Sequence, residues 1–147
     1  MIIKPIIIKG GIHQDGRGEV RFVNDFDFSQ VKRFYTIRNS TVGYLRAWHG
    51  HRYEVKSFYI LKGIFRIFWV KIDDWKNPSP SLKPESIIMS EKDNDIVTLP
   101  GGYANGLMAK SDDARLMVFS NYSLEESSKD DYRFENNYWN VTMDQDF

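Results

Sequence analysis

Apolar and polar positions alternate with a period of two along most of the chain. VKRFYTI (31–37), VKSFYIL (55–61), IFRIFWVKI (64–72) and ARLMVFS (114–120) are of strand length and rich in β-branched and aromatic residues. Turn residues bound each run. Further short strands are predicted near 2–8, 18–24, 44–48, 86–90, 95–99 and 106–109. Lys62-Gly63 separates two of the long runs, so 55–72 reads as a β-hairpin. Ser123-Leu124-Glu125-Glu126 has capping-box spacing and opens the polar stretch SLEESSKDD, which predicts one short surface helix near 123–130. Residues 73–85 (DDWKNPSPSLKPE) carry Pro78, Pro80 and Pro84 and read as a long exposed loop. Many short strands with regular turn signals predict an all-β sandwich or small barrel, in one domain spanning 1–147.

Composition narrows the classes of function. Hydrophobic residues make up 41% and aromatics 15% of 147 residues, enough apolar surface to build a core. Twenty Lys plus Arg balance twenty Asp plus Glu. No basic excess exists to grip nucleic acid or an anionic membrane, and neither partner is expected. The absence of cysteine excludes disulfide scaffolds, thiolate metal sites and cysteine nucleophiles. No apolar run approaches the ~20 residues of a membrane span. The opening MIIKPIIIK is broken by Lys4 and Pro5, and no signal-peptide pattern follows it. The expectation is a soluble cytoplasmic protein.

Candidate chemistry concentrates in RAWHGHR (46–52), which holds two of the three histidines. His49 and His51 lie two apart on a predicted strand and share one face. Arg46 and Lys56 add positive charge nearby, which suits an anionic ligand such as a diphosphate. Gly43, His49, His51 and Gly63 have the spacing of the first metal-binding motif of the cupin superfamily. Pro100-Gly101-Gly102-Tyr103-Ala104-Asn105 resembles the second. Val55 or Lys56 stands where the motif has Glu, Glu54 comes one residue early, and Asn105 replaces the last histidine ligand. An ammonium group beside that position repels a divalent ion and offers no lone pair. No metal and no cofactor are expected.

Five pieces in order carry a more specific resemblance. They are Asp15-Gly16-Arg17-Gly18, Leu45-Arg46-Ala47-Trp48-His49, Lys56 with Gly63, Pro100 to Leu107, and Asp130-Asp131 ahead of Trp139. Lys32-Arg33-Phe34-Tyr35-Thr36-Ile37 adds a strand pattern. Together they resemble the cupin-fold nucleotide-sugar epimerases and isomerases. They are similar both to the dTDP-4-dehydrorhamnose 3,5-epimerases and to the dTDP-sugar 3,4-ketoisomerases. The resemblance implies a cupin jelly-roll β-barrel, a homodimer, and a nucleotide-diphosphate sugar as substrate in O-antigen or other surface polysaccharide synthesis.

It also implies roles for particular residues. His49 corresponds to the base that removes a proton beside the sugar ketone, and Lys56 to the cation that stabilises the enolate. His51 corresponds to the second histidine of the ketoisomerases, which takes part in proton transfer. Arg46 and Arg17 match phosphate-binding arginines, and Asn39 matches a nucleotide-side asparagine. Two positions depart from the pattern. Val118 falls where the epimerases carry a proton-donating tyrosine, and Asn105 replaces a histidine. Tyr103 and Tyr122 are the candidate replacements for the donor. A single epimerisation, or a ketone shift along one face by His49 and His51, is therefore expected. A non-catalytic nucleotide-sugar-binding cupin is the alternative.

Among the remaining candidates, Trp48, Phe58, Phe65 and Trp69 are expected in the core or a dimer interface. Asp15 is expected in a turn, and Asp130 and Asp131 at the end of the short helix. Spacing alone pairs no carboxylate with His49.

Overall fold

The structure, a computed structural model, describes residues 2–141. In chain order the strands are β1 (Ile6–Ile8), β2 (Gly11–Asp15), β3 (Gly18–Phe22), β4 (Arg33–Arg38), β5 (Leu45–His51) and β6 (Lys56–Lys62). There follow β7 (Ile64–Lys71), β8 (Glu85–Ser90), β9 (Ile96–Leu99), β10 (Tyr103–Ala109), β11 (Arg115–Ser120), the helix α1 (Leu124–Ser128) and β12 (Tyr132–Arg133). One antiparallel sheet has the order β1-β9-β6-β11-β4, and the other β12-β5-β10-β7-β8. β2 and β3 form a separate two-stranded hairpin.

The main core lies between the two sheets. Phe58, Ile60, Val97, Leu116 and Val118 come from the first sheet and meet Phe65, Ile67, Met89, Leu107 and Ala109 from the second. Burying such side chains is the dominant favourable term in folding. The second sheet is also covered on its outer side. There Trp48, Phe68, Val70, Ala104 and Met108 pack with Trp139, Phe134 and Tyr138 from the C-terminal segment. A sheet covered on both faces requires apolar residues at successive positions, which explains the near-continuous run IFRIFWVKI.

Three expectations change. The run 55–72 is not a hairpin, because β6 and β7 belong to different sheets. Gly63, at φ +77°, turns the corner between them, and a Cβ there would lie 2.3 Å from Ser111 Oγ. That corner needs glycine for both backbone and space. The strands β2 and β12 lie outside the predicted set. The segment 73–85 is not simply an exposed loop. Its Pro78 is buried, and the carbonyls of Pro78 and Ser79 accept bonds from Tyr138 Oη and Trp139 Nε1, so the segment lies over the outer side of the second sheet.

The helix follows expectation. Ser123 caps it in a reciprocal capping box with Glu126.

Candidate active site

A cavity of about 680 Å³ opens between the sheets, lined by β4, β6, β5 and β10, by α1 and by the segment around β12. Strand alternation on β4 brings Arg33, Tyr35 and Ile37 into its wall. On β5 the alternation breaks. Asn105 pairs with His49, but Gly106 pairs with Ala47, so Trp48 is the extra residue of a β-bulge. Phe134 pairs with the Trp48 backbone in both directions, at 3.0 and 3.1 Å. As a result Arg46, Ala47, Trp48 and His49 all line the cavity.

His49 is anchored by a carboxylate. Its Nε2 lies 2.6 Å from Asp131 Oδ1, which also accepts from Arg133 Nε at 2.9 Å. With Asp131 ionised, Nε2–H donates and Nδ1 keeps the free lone pair. Burial acts to raise the Asp131 carboxyl, but the Arg133 guanidinium and His49 hold it below the ordinary carboxylate value. Burial, reinforced by the charges of Lys56, His51 and Arg133, holds His49 below the usual imidazole value, with Asp131 opposing. His49 is therefore neutral at pH 7 and able to accept a proton.

His51 stands behind it. The two rings are 4.2 Å apart between centroids, on one face as the spacing predicts. His51 is buried, and its Nδ1–H donates to the Asp130 carbonyl at 2.7 Å. Its Nε2 is buried without a partner among the described residues.

Lys56, 4% exposed, lines the cavity with its ammonium 5.6 Å from the centre of the Tyr35 ring. Burial pushes it down to about 8, against the opposing charge of Glu54. Burial likewise pushes the Tyr35 hydroxyl up to about 12, so it holds its proton at neutral pH. Arg33 stacks over the same ring at 5.0 Å and reaches Glu54 at 3.2 Å. Arg46 has no carboxylate partner among the described residues and leaves its guanidinium to the cavity.

The structure thus brings together His49, Lys56, Arg46 and Asn105, with His51 directly behind. Other predicted residues lie elsewhere. Arg17 sits at the tip of the β2–β3 hairpin, its side chain 89% exposed and paired with Asp15 at 2.8 Å. Asp15 also accepts from the Arg17 backbone, the turn role expected of it. Asn39 is buried beyond β4, donates to the Leu107 carbonyl at 3.1 Å and leaves its Oδ1 unpartnered. Tyr103 and Tyr122 do not line the cavity. Val118 is wholly buried in the core. Tyr35, its direct partner across the ladder, lines the cavity instead.

Asp131, Arg133, Arg33, Tyr35 and Glu54 were not among the predicted site residues. Arg33 and Tyr35 carried a signal in the period-two strand pattern, whereas Asp131 meets His49 only through the fold. Asp130 and Asp131 do follow the helix, but their carboxylates serve β5 and the segment after it. Among the described residues, no group of three or more histidine or carboxylate side chains is arranged to hold a metal ion. No helix among them is long and apolar enough to cross a membrane.

Comparison with known proteins adds the fold. Neither a scan of protein-family profiles nor a search of curated proteins finds a match. Solved structures do match. The QdtA sugar 3,4-ketoisomerase from Thermoanaerobacterium thermosaccharolyticum, in complex with TDP, aligns at TM-score 0.69 and 18% identity, over 94% of this chain and 93% of that one. The Mycobacterium tuberculosis rmlC epimerase aligns at TM-score 0.72 and 16% identity, over 95% and 80%. The ChmJ 3'-monoepimerase from Streptomyces bikiniensis, in complex with dTDP-quinovose, aligns at TM-score 0.66 and 22% identity, over 84% and 67%. The two facing sheets, the cavity between them and these alignments show that this chain has a cupin-like jelly-roll fold, its sheets packed as in the rmlC epimerase.

Proposed function

We propose that this protein is a metal-independent isomerase of a 4-keto-6-deoxy nucleotide sugar, and that it removes a proton from the carbon beside the ketone. The observation that carries the proposal is a neutral, carboxylate-anchored histidine sharing one cavity with a buried lysine: His49 on Asp131, and Lys56. A ketone acidifies the neighbouring C–H, and a positioned base accepts that proton. The enolate oxygen then needs a preorganised cation in a water-poor site, the part assigned to Lys56. Tyr35, protonated and in the same wall, is the candidate to return a proton. Arg46, which lines the cavity without a carboxylate partner among the described residues, suits the diphosphate. The solved structures with TDP and dTDP-quinovose support this substrate class.

A ketone shift is the second form of the reaction. It is favoured by the free Nε2 of His51 beside His49, since a shift needs a second proton acceptor on the same side. Proton NMR of the products from dTDP- and GDP-linked substrates tests the proposal. A new epimer or a moved ketone supports it, and unchanged substrate at saturation supports the non-catalytic alternative.

The pH dependence follows from the same groups. His49 must be neutral to act, so activity falls only as pH drops below its lowered value. Lys56 must be charged, so activity falls as pH rises through about 8. The kcat/KM profile is expected to show an acid limb below 6.5, the ordinary imidazole value, and an alkaline limb near 8. An acid limb at or above the ordinary value would contradict the assignment of His49.

The proposal extends to a cytoplasmic homodimer of single-domain chains serving surface polysaccharide synthesis. β4 is a free sheet edge, and Phe34 on it is 65% exposed beside Phe119, Phe26 and Phe28. An exposed aromatic patch next to an open edge suits a second copy of the chain. Arg17, remote from the cavity of its own chain, then has a site to reach only across such an interface. Light scattering is expected to give twice the chain mass, and a monomer at micromolar concentration would remove this part.

A further inference from the structure

Glu54 is the most thoroughly enclosed charge among the described residues, with a side chain 0% exposed. Four elements converge on it. Ser120 Oγ on β11 donates to its Oε2 at 2.5 Å, and Arg33 Nη2 on β4 donates there at 3.2 Å. Ser127 Oγ on α1 donates to its Oε1 at 2.7 Å. His51 Nδ1 on β5 lies 3.3 Å from the same Oε1. Its own backbone N–H is held by the Asp130 carboxylate at 2.8 Å. Burying a carboxylate is costly unless donors satisfy it, and here they are supplied from every side.

Two consequences reach the reacting groups. His51 Nδ1 faces two acceptors, the Asp130 carbonyl and Glu54, so it carries the proton. The lone pair is then on Nε2, which is buried without a partner beside His49. Lys56 faces Tyr35 and Arg33 on β4, His49 and His51 on β5, and Asp131 and Arg133 from the segment at β12. Against these cations, Glu54 supplies the main opposing charge.

We propose that Glu54 is a positioning residue for this site: it joins the Asp130 carbonyl in holding His51 as the Nδ1–H tautomer and supplies the buried negative charge that offsets Lys56 and Arg33. It acts on the substrate only through those groups. The inference rests on the functional reading above, but its first test does not need turnover.

Long-range proton–nitrogen NMR of the ligand-free protein reads the tautomer directly. His51 is expected as Nδ1–H at neutral pH, and an Nε2–H tautomer would overturn the proposal even if every variant failed to fold. In Glu54→Gln, kcat is expected to fall about tenfold or more with little change in KM. Its alkaline limb is expected to move to lower pH, because Lys56 loses its opposing charge. Glu54→Asp should recover part of both. Loss of thermal stability with kcat and the limb unmoved would make Glu54 merely structural and overturn the proposal. If no keto sugar is turned over by the wild-type protein, the functional reading fails, while the His51 tautomer compared between wild type and Glu54→Gln still reports on Glu54: an identical tautomer population in the folded variant would overturn its part in holding Nδ1–H.

Discussion

His49→Asn is expected to lower kcat by roughly a thousandfold, the range of a lost general base, while nucleotide binding and fold survive. The base must be neutral, oriented and close to the carbon acid. Asp131 supplies the orientation, and burial with the surrounding cations supplies the neutrality. Asparagine keeps a polar group at the cavity wall but has no basic nitrogen. The fold should tolerate it, because the His49 side chain is 28% exposed and Asp131 keeps Arg133 as a partner. No buried charge is left bare, so the usual cause of a large stability loss is missing. Steady-state kinetics with circular dichroism checks this. Near-wild-type kcat in a folded variant would end the assignment.

Lys56→Met is expected to lower kcat by about a hundredfold or more and to leave KM nearly unchanged. The ammonium is worth most when charge develops on the enolate oxygen and little in the ground state. Its effect on stability should run the other way. Folded Lys56 titrates near 8 instead of the usual 10.5, so the charged form is disfavoured by burial. A depressed lysine costs stability in full below its folded value and nothing above its unfolded one. At neutral pH that cost is on the order of 3 kcal/mol. Methionine fills similar space without the charge, and Glu54 keeps Arg33, Ser120 and Ser127. Lys56→Met should therefore melt at or above the wild-type temperature while losing activity. Loss of both would mean that Lys56 serves the fold.

How much of this was legible in the sequence differs by level. The long strands and the capped helix were, because alternation and capping are local. The placement of β6 and β7 in separate sheets was not, since a glycine between two apolar runs signals a turn without saying where each strand pairs. In the site, His49, His51, Lys56 and Arg46 were legible because they cluster within eleven residues of β5 and β6. Asp131 was not, because 82 residues separate it from His49. Glu54 looked like a displaced metal ligand, and its four partners come from four separate elements. Tyr35 stood in a recognised strand pattern, but only the β4–β11 register puts it beside Val118.

Deuterium uptake from D2O into a 4-keto-6-deoxy nucleotide sugar, followed by proton NMR, tests the central claim most directly. Wild-type protein is expected to erase the signal of a proton next to the ketone, at C3 or C5, and His49→Asn to leave it intact over the same time. Binding without loss of any such signal in the wild type, or equal loss in His49→Asn, would contradict the claim.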